Sequence, residues 1–203
     1  CLLRFVWKKY TKDTRIPSVW ISEFTKATIL AGSAWENAKI ASSFLIFRSH
    51  LEKIIRLNQD YASFFQPYDH IYDPLLDDYE PGVTTAQAKD ILKFLREEQV
   101  DLIQKIAGAA QVDDGFLRQN FDIPAQCQFG VYVITNLVYD WSRGRQDRSM
   151  HPFTSGFDMG DVRITTNPDP QDLRRGLFGT IHECGHALYE QGIRADFETT
   201  PLA

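Results

Sequence analysis

The sequence has few cysteines, no long hydrophobic run and no excess of positive charge, and each of these absences excludes a class of protein. Its 203 residues include three cysteines, Cys1, Cys127 and Cys184. An odd, widely spaced set does not make a disulfide framework and favours a reducing compartment. No run of about 18 apolar residues is present, which argues against a membrane span. A net charge of −5 argues against a nucleic-acid-binding surface.

The first residues of the sequence do not have the pattern of a secretory leader. The first residue is Cys1 rather than Met, and no basic segment precedes an apolar stretch and a small-residue cleavage site. We therefore expect an internal fragment of a longer protein. A hydrophobic content of 43% is enough for one sizeable core, and no repeat or linker divides the chain. We expect a single partial domain over residues 1–203.

Proline and glycine are scarce over the first third of the chain, where helices are predicted. Between residues 19 and 65 the only glycine is Gly32, and apolar residues recur at spacings of three and four. This pattern indicates two helices or one long kinked helix. Residues 67–82 interrupt it with an acidic loop, which we expect to be solvated rather than calcium-binding. Thr84 and Gln87 form a capping box that opens a helix reaching about residue 110. Another helix is predicted over residues 124–141.

The most informative stretch is H-E-C-G-H at residues 182–186. On a helix, positions i and i+4 share a face, so His182 and His186 can direct two imidazoles at one metal ion. Glu183 can then take a proton from water that the metal activates, which is the zincin peptidase pattern. The alternative is a pair of solvated histidines beside an incidental glutamate. Cys184 lies about 200° around the helix from His182, so we expect a buried, inert thiol.

The sequence around this motif predicts the extent of its helix. Asp169 and Pro170 suit the start of the helix, and Gly192 suits its end. Gly185 lowers helix stability, so it makes sense where another backbone approaches closely. We expect an apolar stripe to face the core. The stripe consists of Leu173, Leu177, Ile181 and Leu188.

A strand is predicted just before this helix, at residues 161–166, where β-branched and polar residues alternate. Asp161, Arg163 and Thr165 share one of its faces. Such a strand beside a metal-binding helix could lend backbone groups to an extended peptide. The alternative is a structural hairpin in which Asp161 and Arg163 pair with each other.

Three ordered motifs resemble one known family. H-P-F at residues 151–153, D-V-R-I-T at 161–165 and H-E-C-G-H at 182–186 look like successive motifs of the carboxypeptidase Taq family of metallocarboxypeptidases. The acidic loop at residues 72–85 is similar to that family too, so the resemblance covers nearly the whole chain. It implies a mainly α, zincin-like fold with a small β-sheet beside the H-E-x-x-H helix.

The same resemblance implies a cytoplasmic homodimer that removes C-terminal amino acids from peptides with broad specificity, using Zn²⁺ or Co²⁺. It implies His182 and His186 as metal ligands and Glu183 as the base. His151, Asp161, Arg163 and Thr165 become candidate substrate-binding residues. The third metal ligand in that family is a glutamate in a later H-E-S motif, and the sequence ends at Ala203 before it. We therefore expect the fragment to be inactive alone.

Two alternatives to a carboxypeptidase stay open. The first is another H-E-x-x-H enzyme, an endopeptidase or an aminopeptidase, which would use the same helix. The second is a non-catalytic helical scaffold in which the histidines bind no metal.

Overall fold

The computed structural model describes residues 2–198 and 200. The chain divides into two compact units, Cys1–Ala110 and Gln111–Ala203. The assignment of residues 1–203 to a single partial domain stays a prediction. Across the described residues, no helix is both long enough and apolar enough to cross a membrane.

The first unit is helical throughout. Its helices are α1 Leu2–Asp13, α2 Ser18–Ile40, α3 Phe44–Ser63, α4 Asp73–Leu76 and α5 Thr85–Gly108. The long apolar stretch thus forms two helices, and Ser42 in the turn between them has a φ of 48°. The predicted capping box is confirmed, because the Thr84 side chain accepts from the Gln87 backbone and the Gln87 side chain accepts from Thr84.

Alanines and aromatic rings hold α2 against α3. The alanines at residues 27, 31, 34 and 38 are buried on α2. Small side chains allow two helices to approach closely. Trp20 donates from Nε1 to the Leu57 carbonyl at 3.0 Å and lies 5.3 Å from the Tyr61 ring. No residue of α5 is buried in the described part of the chain, although its sequence has an apolar face.

The acidic loop of the first unit bonds to donors of the same unit. Asp77 accepts from Lys8 at 3.2 Å and from Lys12 at 3.0 Å. Asp73 accepts from the backbone N–H of Thr85 at 2.7 Å. Its pKa is lowered mainly by the hydrogen bond from the Thr85 side chain. These carboxylates therefore anchor the loop that leads into α5.

The second unit combines two helices with a three-stranded sheet. Its elements are α6 Ile123–Asn136, β1 Gln146–Arg148, β2 Thr154–Asp158, β3 Asp161–Thr166 and α7 Leu173–Gln191, with short 3₁₀ turns at Gly115–Leu117, Trp141–Arg143 and Ala195–Phe197. Helix α6 ends before the predicted residue 141. Val138 takes a φ of 64°, which a continuing α-helix does not allow.

β3 is the central strand of the sheet, with the bounds that the alternating pattern predicts. It pairs in parallel with β1 and antiparallel with β2. β2 pairs with residues 161–164 of β3 and β1 only with residues 164–166, so the possibility that β3 lends backbone groups to a peptide stays a prediction for residues 161–163 on the side of β1. β2 has only β3 as a described neighbour, which makes β2 the edge strand beside α7.

Small side chains bring α7 close to β3. The four residues of the predicted stripe are half-buried, and Leu188 packs against the core as predicted. The fully buried residues of α7 are smaller or polar, namely Gly176, Thr180, Glu183, Cys184, Ala187 and Gln191. Thr180 donates to the hydroxyl of Thr166 on β3 at 2.8 Å. A Cβ on Gly176 would lie 3.0 Å from the backbone of Pro168. The close approach leaves no room for leucines on this face, and they lie at its sides.

Gly144 is expected to be the glycine least tolerant of substitution. A Cβ there would lie 2.1 Å from both the Tyr139 hydroxyl and the Val162 carbonyl oxygen. These two atoms bond at 2.7 Å within the core of the second unit. Gly144→Ala must break that bond or displace β3, so we expect a loss of about 3 kcal/mol or more of unfolding free energy.

Chemical denaturation followed by circular dichroism would measure this loss. Gly32→Ala is the matched control, since Gly32 lies within α2 and, outside the backbone of that helix, no atom of residues 2–198 or 200 lies within 4 Å of its Cβ position. We expect that change to raise stability by about 0.5–1 kcal/mol, as glycine weakens helices. Equal stability of the wild type and Gly144→Ala would contradict the packing around Tyr139.

Candidate functional site

Helix α7 carries the predicted metal ligands on its exposed side. Its N-cap is Asp172, whose side chain accepts from the Arg174 backbone, and not Asp169 as predicted. Asp169 instead accepts from the Gln171 backbone at 2.9 Å. Pro170 therefore precedes the helix, and Gly192, the predicted stop, is the C-cap that follows Gln191. His182 and His186 lie one turn apart on this helix, and both are exposed.

The two imidazoles have a geometry that fits one metal ion. Their Nε2 atoms are 3.3 Å apart, and their ring planes cross at 81°. Two nitrogens about 2.0–2.1 Å from a tetrahedral Zn²⁺ lie roughly 3.3–3.4 Å from each other. The observed spacing is that of two neighbouring ligand positions. The described residues contain no group of three histidine, cysteine or acidic side chains placed to hold a metal.

Glu183 faces a cavity beside these histidines. The cavity has a volume of about 340 Å³. It is lined by Pro152, Phe153, Thr154, Gly156, Glu183, His186 and Glu190. Glu183 is 7% exposed, and its Oε2 accepts a hydrogen bond from the Thr154 hydroxyl at 2.7 Å. A buried carboxylate therefore opens onto the same cavity as one of the imidazoles.

Cys184 points away from this cavity, as the helical geometry predicts. Its side chain is fully buried in the core with Val162 and Ile164 of β3. Burial raises the pKa of the thiol, which keeps it protonated and a poor metal ligand. Gly185, by contrast, has no atom of the described residues within 4 Å of its Cβ position. The close backbone approach expected there is not found among the described residues.

Thr165 of the D-x-R-x-T motif ties β3 to the H-P-F motif. Its hydroxyl accepts from the Phe153 backbone N–H at 2.9 Å and from the Ser149 hydroxyl at 2.7 Å. Its own N–H donates to the Phe153 carbonyl at 2.9 Å. Thr165 is buried, so these bonds are shielded from water. The two motifs are therefore joined, and Phe153 is held at the cavity.

Asp161 and Arg163 pair with each other on the exposed face of β3. The Arg163 guanidinium donates to both carboxylate oxygens, at 2.8 and 2.6 Å. This hydrogen bonding lowers the pKa of Asp161. Arg163 also lies 5.3 Å from the Phe157 ring. Asp161 and Arg163 thus pair with each other, as the alternative of a structural hairpin predicts.

The candidate residues thus separate into two groups. His186 and Glu183 line the cavity, and His182 lies one helical turn from His186 but is not among the lining residues. The substrate-binding candidates His151, Asp161, Arg163 and Thr165 are not among them either. The substrate-binding roles of those four stay predictions. Sequence reasoning missed Thr154, whose contact with Glu183 spans 29 positions. Its place directly after H-P-F is the one signal that could have drawn attention to it.

The motif helix lies against a short sheet, and its two histidines with the glutamate between them have the arrangement of the H-E-x-x-H class. Comparison with known families identifies the class more closely. The family model described as carboxypeptidase Taq (M32) metallopeptidase matches residues 2–203. The chain belongs to this family.

Known members of the family match the chain over nearly all of its length. It is 36% identical to carboxypeptidase 1 of Bacillus subtilis over 197 residues, which cover 97% of this chain and 39% of that protein. It is 32% identical to thermostable carboxypeptidase 1 of Thermus thermophilus, covering 96% and 40%. The apo-Mg structure of Pyrococcus furiosus carboxypeptidase superimposes with a TM-score of 0.82 at 32% identity, covering 98% and 41%. The chain therefore spans about two fifths of its relatives' length.

Proposed function

We propose that the complete protein containing this chain is a divalent-metal-dependent carboxypeptidase, which removes C-terminal amino acids from peptides with broad specificity. The observation that carries this proposal is the 3.3 Å spacing of the His182 and His186 Nε2 atoms beside the buried Glu183. Family membership supports peptide substrates and a metal. We propose Zn²⁺, with Co²⁺ as an alternative, following the resemblance of the three motifs to the family; imidazole is a good ligand for Zn²⁺.

The residues of the H-E-x-x-H and H-P-F motifs have separate proposed roles. His182 and His186 hold the cation, which when bound supplies Lewis acidity to water and to the scissile carbonyl. Glu183 Oε2 accepts a hydrogen bond from Thr154. We assign the other oxygen, Oε1, to take a proton from water and return it to the leaving amine. Pro152 and Phe153 provide an apolar wall that limits the access of bulk water.

The edge strand β2 supports an extended peptide as the substrate. Thr154 and Gly156 of this strand line the cavity, and β3 is the only described neighbour of β2. The backbone groups on the other side of β2 can pair with an incoming chain. We further propose a cytoplasmic homodimer, following the resemblance of the three motifs to the family. Binding of nucleic acid or membrane is not part of the proposal.

Blocked peptides test the reaction class. The complete, metal-loaded protein should release the last residue of a peptide with a free C-terminal carboxylate. It should act at least about 100-fold more slowly on the C-terminal amide, because a site that pairs with a carboxylate is left with an unpaired charge. Acetylation of the N-terminus should change little. Amino acid release would be followed by mass spectrometry.

The other outcomes identify the alternatives. Comparable cleavage of the amide, at internal bonds, would indicate an endopeptidase. Loss of activity on the acetylated peptide would indicate an aminopeptidase. A protein that binds no metal and hydrolyses none of the three peptides would be the helical scaffold.

A further inference from the structure

Thr154 on the edge strand β2 makes a direct contact with the proposed base. Its Oγ1 lies 2.7 Å from Glu183 Oε2 and 3.0 Å from the Glu183 backbone carbonyl oxygen. Both Glu183 oxygens accept, and a threonine hydroxyl carries one proton to donate. We assign that proton to the nearer oxygen, Oε2, where a carboxylate makes the bond charge-assisted.

This bond restricts the orientation of a group that is otherwise poorly restrained. Rotation about the last torsion of a glutamate side chain has broad minima, so packing alone does not fix the carboxylate plane. A donor on Oε2 selects one orientation and leaves Oε1 for the cavity that Glu183 lines. The hydroxyl thus fixes the plane of the carboxylate and leaves the oxygen that it does not bind for proton transfer.

The position of Thr154 is itself fixed by the sheet. It lies in β2 opposite Ile164 of β3, which is fully buried. The preceding residue, Phe153, exchanges two hydrogen bonds with Thr165 of β3. A β-branched side chain also has a stiff first torsion. The position of the hydroxyl therefore follows from that of the sheet.

We propose that Thr154 is a positioning residue for peptide hydrolysis, which directs Glu183 Oε1 at the reacting water through its hydrogen bond to Oε2. This inference rests on the proposed function, in which Glu183 is the base. It assigns a role to the residue after the H-P-F motif and joins the edge strand to the proton-transfer step.

The test compares Thr154→Val, which keeps the shape and removes the hydroxyl, with Thr154→Ser, which keeps the hydroxyl. In the complete, metal-loaded protein, Thr154→Val should lower kcat about 10- to 100-fold, the worth of one hydrogen bond to a charged group. KM should change less than about twofold, since the bond acts on the chemical step. Metal content after dialysis should equal that of the wild type. Thr154→Ser should restore most of the lost kcat.

Two further variants complete the design. Thr28→Val is the matched control, because this half-buried threonine of α2 donates to the Phe24 carbonyl, outside the site. It should leave kcat and KM unchanged. Combining Thr154→Val with Glu183→Gln should lower kcat no further than Glu183→Gln alone, because the hydroxyl acts through the carboxylate. If Thr154→Val does not fold, Thr154→Ala and Thr154→Ser give the same comparison of hydroxyl with no hydroxyl.

The outcomes separate this inference from the proposed function. Wild-type kcat in Thr154→Val, with turnover lost in Glu183→Gln, would overturn the role of Thr154 and leave the base in place. Equal losses in Thr154→Val and Thr154→Ser would overturn it as well, since the methyl group would then be responsible. A loss of metal from Thr154→Val, or a raised KM with unchanged kcat in that variant, would also overturn the role of Thr154. Normal turnover in Glu183→Gln would overturn the base assignment itself.

Discussion

Glu183→Gln is expected to keep the metal and lose the chemistry. Proton transfer by a positioned side chain contributes about 10²- to 10⁴-fold to a rate, so we expect kcat to fall within that range. A glutamine has nearly the same shape and can still accept the Thr154 hydrogen bond now made to Oε2. It cannot take a proton from water at neutral pH. Single-turnover hydrolysis of a peptide with a free C-terminus measures the effect.

Two measurements make this result specific to the carboxylate. Metal content should match that of the wild type, because Glu183 bonds to Thr154 and is not proposed as a ligand. Glu97→Gln is the control for loss of one negative charge, since Glu97 is exposed on α5. It should leave turnover within about twofold, as surface charges contribute little. Near-normal turnover in Glu183→Gln would contradict its role as the base.

The placement of the two histidines could be predicted because it is local. Four residues separate His182 from His186, and helical geometry alone brings their side chains to one face. The same holds for the Thr84–Gln87 capping box and for β3, whose alternating side chains match the observed burial of Val162 and Ile164. In each case the information lies within a few residues of the chain.

The buried face of α7 could not be predicted, because it depends on how closely the helix lies to the sheet. Hydrophobic spacing indicated the leucines at its sides, whereas the contact uses Gly176, Thr180 and Ala187. The bond from Thr180 to Thr166 joins two elements and has no counterpart in a helical pattern. Small and polar residues carry little hydrophobic signal, although here they form the interface.

The outer strands of the sheet gave no sequence signal for a similar reason. β1 has three polar residues, and β2 contains a glycine with a register shift after it. Both become strands because β3 offers them a partner. The Thr154–Glu183 contact depends on that pairing, since β2 carries the hydroxyl to α7. A site residue that acts across 29 positions is therefore found only once the sheet is assembled.

Replacing either histidine is expected to abolish metal binding as well as activity. His182 and His186 each offer one Nε2 atom, and the 3.3 Å between these atoms suits a shared ion. Loss of an outer-shell partner costs about 10- to 100-fold in metal affinity, so removal of a ligand should cost more than about 100-fold. His182→Ala and His186→Ala should therefore lose the metal on dialysis, which elemental analysis of the complete protein would measure without any substrate. They should also lose the thermal stabilisation that added Zn²⁺ gives the wild type.

His50→Ala on α3 is the control, since it removes one imidazole from the first unit of the chain, and it should bind metal as the wild type does. Wild-type affinity in either α7 variant would show that the ion is held elsewhere, and Glu183 would then have no activated water to deprotonate.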